Sequence, residues 1–216
     1  MITALFDLDG TLLDTERIYQ KYWNMAADRL GYHISAEEFL GFRSLGHSFA
    51  IQKMKELTGS DKAYDEIRNY RKELMEPVMQ NLDIPLKPFV REALTLLKDN
   101  GFRLGVATAT RSFTTDEYLR RTGLAPFFDK VISARMVKEG KPAPDVYQFA
   151  AGEMGVQPEE AFAVEDAPNG VLSAFRAGCR VIMVPDLTEP DEELKKYISF
   201  RADNLLDAAE YMLAEG

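Results

Sequence analysis

A single cysteine, Cys179, leaves no partner for an internal disulfide. Stability must come from packing, and a lone thiol suits a reducing compartment; packing in the core is the expected place for it. The two histidines, His33 and His47, are too few and too separated to suggest a metal site. Positive charge is also short: 26 Lys and Arg stand against 35 Asp and Glu, for a formal net charge of -9. Such a chain offers no basic field to nucleic acid or anionic lipid, so neither is expected as a partner. Nor does any apolar run reach the roughly 18 residues needed to span a bilayer. The first apolar run, Ala4 to Phe6, meets Asp7 too early for a signal-peptide core. A cytoplasmic location is the default expectation.

What is present is ample material for a core: 46% of the 216 residues are hydrophobic. That suits one large domain or a domain with an insertion. Ile2 to Phe6 reads as a short buried strand that stops at Asp7-Leu8-Asp9-Gly10. The texture then turns helical, with no convincing strand from Thr15 to about Gln80. Tyr19, Tyr22, Trp23, Ala26, Ala27 and Leu30 recur at helical spacing up to Gly31. Ser35-Ala36-Glu37-Glu38 has the form of a capping box. Further helices are expected at Ser48–Leu57 and Ala63–Glu76. Between the second and third helices lies a loop bounded by Gly41 and Gly46.

After Pro88 helices and strands alternate. Helices are expected at 90–98, 115–122, 144–154, 170–177 and 205–213, and strands at 103–109, 130–134, 160–164 and 180–184. Alternation of this kind predicts an α/β fold, a Rossmann-like parallel sheet covered on both faces. The expected organisation is an α/β core from residues 1–14 and 81–216, with a helical-bundle cap, 15–80, inserted between.

In an open α/β sheet ligands sit beyond the carboxyl ends of the strands. The polar residues expected there are Asp7, Asp9, Thr108, Thr110, Lys141, Glu165 and Asp166. Four carboxylates on one rim would repel one another and raise each other's pKa values. A hard divalent cation such as Mg2+, with its preference for oxygen ligands, removes that problem. Lys141 adds positive charge, Thr108 a hydroxyl donor, and backbone N–H groups near Ala109 can hold phosphate oxygens. A carboxylate that forms an aspartyl-phosphate is an established nucleophile. The calcium-loop reading of Asp7-Leu8-Asp9-Gly10 fails, because the sixth and twelfth positions are Leu12 and Ile18 instead of Gly and Glu.

The ordered set resembles the haloacid dehalogenase superfamily, in the subgroup of phosphatases and β-phosphoglucomutase-like enzymes with a helical cap. The first motif stands as Asp7-Leu8-Asp9-Gly10-Thr11 and the second as a strand ending in Thr108. The third is Lys141 in Gly140-Lys141-Pro142, and the fourth is Glu165-Asp166 before Gly170. The resemblance implies Asp7 as nucleophile and Asp9 as general acid–base. It implies Thr108, Ala109 and Lys141 around the phosphoryl group. Mg2+ would be bound by Asp7, Asp166 and the carbonyl of Asp9, with Glu165 behind them or an occasional direct ligand. Arg43, in the cap loop, is the candidate for touching substrate. The implied activity is hydrolysis of a small phosphomonoester by a monomer or weak dimer, a sugar phosphate being the natural candidate. The alternative is a mutase of the β-phosphoglucomutase type. That branch carries a histidine where this chain aligns Tyr19, and often lacks the threonine found here as Thr11. A non-catalytic protein on the same fold would be expected to have lost a motif residue, and none is lost.

Overall fold

The structure, a computed structural model, describes residues 2–216. Six parallel strands, β1 (Thr3–Phe6), β2 (Arg103–Thr108), β3 (Lys130–Ser133), β4 (Ala161–Glu165), β5 (Arg180–Met183) and β6 (Phe200–Arg201), form one sheet. Their order is β3-β2-β1-β4-β5-β6. The helices are α1 (Glu16–Arg29), α2 (Ala36–Leu40), α3 (His47–Thr58), α4 (Ala63–Asn81), α5 (Val90–Asp99), α6 (Ser112–Arg121), α7 (Asp145–Glu153), α8 (Pro168–Ala177) and α9 (Leu205–Glu215).

Side chains on a strand alternate between faces, and the strands use both. Ala4, Phe6, Val106, Phe162, Val164 and Ile182 pack on one face with α5 and α9. Leu5, Ala107, Ala161, Ala163, Val181 and Met183 pack on the other with α7 and α8. Sheet and covering helices agree with the expected three-layer α/β architecture. A third apolar cluster, including Ala26, Ala27, Phe39, Phe42, Met54 and Ile67, is drawn entirely from α1–α4 and their loops, with Trp23 stacked between Phe39 and Tyr64.

Two expectations need correction. Helix α4 does not stop at Glu76 but continues through the exposed Pro77 to Asn81. Met75 and Met79, one turn apart, are buried in the same cluster as α5 and α9, and that packing outweighs the proline's lost N–H. Helix α6 begins at Ser112, three residues before the expected start. The capping box is as expected, with Ser35 accepting from the Glu38 N–H and the Glu38 side chain accepting from Ser35. Strand β6, two residues long, is too short to leave a periodic signal. Among the described residues no helix is long and apolar enough to cross a membrane.

Candidate active site

Strand register assembles the site. Phe6 lies level with Val106 and Val164, and the next residue, Asp7, donates its N–H to the Val164 carbonyl at 3.0 Å. Asp7, Glu165 and Asp166 therefore emerge side by side where strand order reverses, between β1 and β4. That reversal is where an open α/β sheet leaves a crevice. Thr108 closes β2 on the other flank, and its hydroxyl accepts the Thr110 N–H at 3.0 Å. Ala109 lines the adjoining cleft.

Lys141 is fully buried, and its Nζ lies 2.6 Å from Asp7 Oδ1, 2.6 Å from Glu165 Oε1 and 3.0 Å from the Ala107 carbonyl. Burial alone would push the ammonium down, but Asp7 and Glu165 hold it above its ordinary value. The Tyr147 hydroxyl donates to the same Glu165 oxygen at 2.5 Å. Burial drives Glu165 up to about 7 in spite of Lys141. Its second oxygen, Oε2, is buried without a partner.

Asp9 is placed differently. Thr15 donates to one of its oxygens and Thr110 to the other, each at 2.6 Å. Burial pushes its pKa up, the two hydroxyls pull it back, and the Asp7 charge adds to the rise. The turn behind it is tight, with the Gly10 N–H on the Leu13 carbonyl at 2.8 Å. Gly10 has φ +85°, and a Cβ there would run into the Asp166 carboxylate, so only glycine fits.

The loop between Gly41 and Gly46 lies against these residues. Arg43 Nη1 meets Asp166 at 3.1 Å and Nη2 meets Thr188 at 2.8 Å, with the guanidinium almost wholly buried. Ser44 Oγ stands 3.5 Å from Asp7 Oδ2. Asn169 donates to the carbonyls of Arg43 at 2.8 Å and Gly41 at 3.2 Å, and the Gly46 N–H reaches the Lys141 carbonyl at 2.6 Å. Arg43 is thus turned onto the acidic cluster.

A divalent cation suits this donor set. Oxygens of Asp7, Glu165 and Asp166 lie within 4.8 Å of one another, all three buried. Burial raises Asp166 well above its ordinary value, with Arg43 opposing and Asp7 and Glu165 adding. Glu16, also buried, is raised by burial and then by Asp166 and Asp9. Among the described residues, Asp7, Asp9, Glu16, Glu165 and Asp166 face Lys141 and Arg43 as buried cations, with Arg71 on the cleft wall also drawing Asp9 down. The Asp9 carboxylate is held aside by its hydroxyl partners, whereas Glu165 joins the cluster directly.

Sequence reasoning missed Thr15, Glu16, Ser44, Tyr147 and Asn169 as members of the site. Thr15 and Asn169 stand within the motif stretches and could have been flagged there. Glu16 follows as the first residue of α1, a position that signals only helix initiation. Tyr147 carries no local signal, because its role depends on how α7 packs. His47 pairs with Asp65 on the surface at 2.8 Å, away from the carboxylate cluster. Cys179 is buried, its thiol pushed up to about 12 by burial.

The site opens into a cleft of about 1170 Å³ bounded by α1, α4, the 41–46 loop and the loops after β2 and β3. The profile of the haloacid dehalogenase-like hydrolases matches residues 4–184. The chain is 33% identical to the protein CbbY of Cereibacter sphaeroides, over 96% of this chain and 93% of that protein. It is 30% identical to a phosphorylated carbohydrates phosphatase of Thermotoga maritima, over 82% of each. A crystal structure of a CbbY mutant from Rhodobacter sphaeroides in complex with xylulose-(1,5)bisphosphate superposes with TM-score 0.78, at 28% identity over 96% of both chains.

Proposed function

The chain belongs to the haloacid dehalogenase-like hydrolase family, and from that premise we propose that it is a Mg2+-dependent phosphatase of a small phosphorylated carbohydrate, working through a phospho-aspartate at Asp7. The observation that carries the reading is the contrast between two neighbouring carboxylates. Asp7 is held by the buried Lys141, ready to attack, while Asp9 is held by two hydroxyls with its pKa raised, ready to give a proton.

In the first half-reaction an Asp7 carboxylate oxygen attacks phosphorus. The bond from phosphorus to the ester oxygen breaks, and that oxygen takes the proton from Asp9. In the second, Asp9 removes a proton from water, which attacks phosphorus and breaks the acyl-phosphate bond, restoring Asp7. Lys141 and Thr108 steady the phosphoryl oxygens, with the backbone beside Ala109. Asp7, Asp166 and Glu165 are the side chains that would hold Mg2+, with the Asp9 carbonyl; bound there, the ion offsets their charge and that of the phosphoryl oxygens. Residues 15–80 act as a cap over the core formed by 1–14 and 81–216; the apolar cluster of α1–α4 supports this, while Met75 and Met79 at the end of α4 pack with the core.

Tyr19 favours hydrolysis over mutase chemistry. Burial raises its hydroxyl well above the ordinary value, with Asp9 adding, so it stays neutral where the mutase branch has an imidazole.

The test is a screen of small phosphate esters, an aryl phosphate included, with Mg2+ and with excess chelator. Phosphate release should require the metal. It should fall about a thousandfold or more in Asp7→Asn, whose amide cannot form the acyl phosphate. Retained turnover in a folded Asp7→Asn protein removes the nucleophile assignment.

A further inference from the structure

Among the described residues, Tyr147 is the largest fully buried side chain, and it stands in the first turn of α7 with its hydroxyl on Glu165. A buried tyrosine hydroxyl needs a partner. The oxygen it has found, Oε1, already takes the Lys141 ammonium at 2.6 Å. Oε1 therefore receives two donors, while Oε2 of the same carboxylate is buried with none. Sharing the donors between the two oxygens would leave neither orphaned, and an orphaned buried acceptor costs free energy. The uneven loading calls for something that takes Oε2.

A glutamate carboxylate turns easily, because its last torsion is broad and roughly two-fold. Lys141 by itself would hold one oxygen and leave the plane of the carboxylate free. Tyr147 supplies a second fixed point, on the same stretch of chain as Lys141. That stretch is tied down by α8: Ser173 donates to the Ala143 carbonyl at 2.6 Å and Arg176 to the Pro142 carbonyl at 2.9 Å. Within it, Asp145 accepts the Glu139 N–H at 3.2 Å. Gly170 closes the remaining side, since a Cβ there would run into both Glu165 oxygens. The carboxylate is thus pinned between a lysine, a tyrosine and a glycine backbone.

We infer that Tyr147 is a positioning residue of the metal site: its hydroxyl pins Glu165 so that Oε1 serves Lys141 and Oε2 is kept for the divalent cation. Tyr147 touches neither the reacting atoms nor the cation, and it acts through Glu165 alone. Hydrogen bonds of this kind orient a ligating carboxylate before the metal arrives, and removing one weakens metal binding about 10–100-fold. Tyr147→Phe isolates the hydroxyl, because it keeps the ring that packs in the core and lies 5.2 Å from Lys141 Nζ.

The inference rests on the proposed Mg2+ site of the phosphatase reading, and titration of Mg2+ into chelator-stripped protein without substrate tests it. Isothermal calorimetry should give a Kd for Tyr147→Phe about tenfold or more above that of the native protein. Val146→Ala is the control, a fully buried neighbour in the same turn of α7 that does not touch Glu165. It should lower the melting temperature and leave the Mg2+ Kd unaltered. In aryl phosphate hydrolysis, Tyr147→Phe should need about tenfold more Mg2+ to reach half its maximal rate. With saturating Mg2+ its kcat and KM should return to within about twofold of native, because the bound ion then fixes Glu165 by itself. An unaltered Mg2+ Kd in Tyr147→Phe overturns the inference and leaves the phosphatase reading standing. An equal weakening in Val146→Ala also overturns it, since looser packing of α7 would then be the cause. So does a kcat loss that saturating Mg2+ does not restore, which would assign the hydroxyl to Lys141 instead. A native protein that binds no Mg2+ removes the metal reading, and the inference with it.

Discussion

At the scale of single residues, the site is set by burial of charge. Glu165, Asp9, Glu16 and Asp166 all have raised pKa values, with burial the largest cause for each. A carboxyl whose folded pKa lies above its unfolded value keeps its proton longer in the folded state. The folded state then binds more protons between the two values, and stability falls as pH rises through that window. For Glu165 the window runs from the ordinary carboxylate range up to about 7. A metal-free protein should therefore lose stability between about pH 4.5 and 7 on account of these groups. Mg2+ needs the ionised carboxylates, so it should restore stability most at the upper end. Melting temperatures with chelator and with Mg2+ at pH 5 and pH 7.5 check this. The rise on adding metal should be the larger at pH 7.5, and equal rises at both pH values would count against a metal held by this cluster.

At the scale of elements, the meeting of the 41–46 loop with the loop of Lys141 is the contact to perturb. Gly46 has an ordinary extended backbone, φ -62° and ψ 150°, so its own conformation does not demand glycine. Its neighbour does: a Cβ on Gly46 would stand 2.8 Å from the Gly140 Cα. Gly46→Ala must then push the 41–46 loop away from Lys141 and weaken the Gly46 N–H bond to the Lys141 carbonyl. A displacement of that order should lower kcat about a hundredfold. Destabilisation should stay within about 1–3 kcal/mol, the usual cost of overpacking. Gly59→Ala is the control. Gly59 has φ +75° at the end of α3 and open space around it. It should cost about 1–2 kcal/mol through backbone strain and leave kcat alone. Steady-state kinetics beside chemical denaturation separate the two effects, and an unaltered kcat in Gly46→Ala would show that the loop does not need this seat.

At the scale of the whole molecule, the question is what would reach the phospho-aspartate proposed at Asp7 once the leaving group has gone. A mutase must shield it until a second sugar hydroxyl arrives, whereas a phosphatase admits water. The cleft is wide, about 1170 Å³, and Tyr19 on its wall is neutral. β-Glucose 1-phosphate should accordingly yield inorganic phosphate, with little glucose 6-phosphate. Product analysis by phosphorus NMR decides it. Predominant isomerisation would transfer the assignment to the mutase branch.

Much of this protein was legible from its sequence, because both the sheet and the carboxylate-bearing rim of its candidate site are written locally. Buried parallel strands need short apolar runs, and the residue ending each run is carried to one rim of the sheet by its geometry. That is why Asp7, Thr108, Glu165 and Asp166 could be named before any contact was known. Lys141 could be named only through its motif, since a lysine in a loop gives no sign that it will be fully buried between two carboxylates. Tertiary packing decided the rest. Two methionines held α4 beyond Pro77, and Arg43 turned onto Asp166. Tyr147 reached Glu165 through the docking of α7, and arginines from α4 and two separate loops came to face one cleft. Local pattern records which residues will be buried or helical. It does not record which distant charges will meet, because those distances are set by how the elements pack.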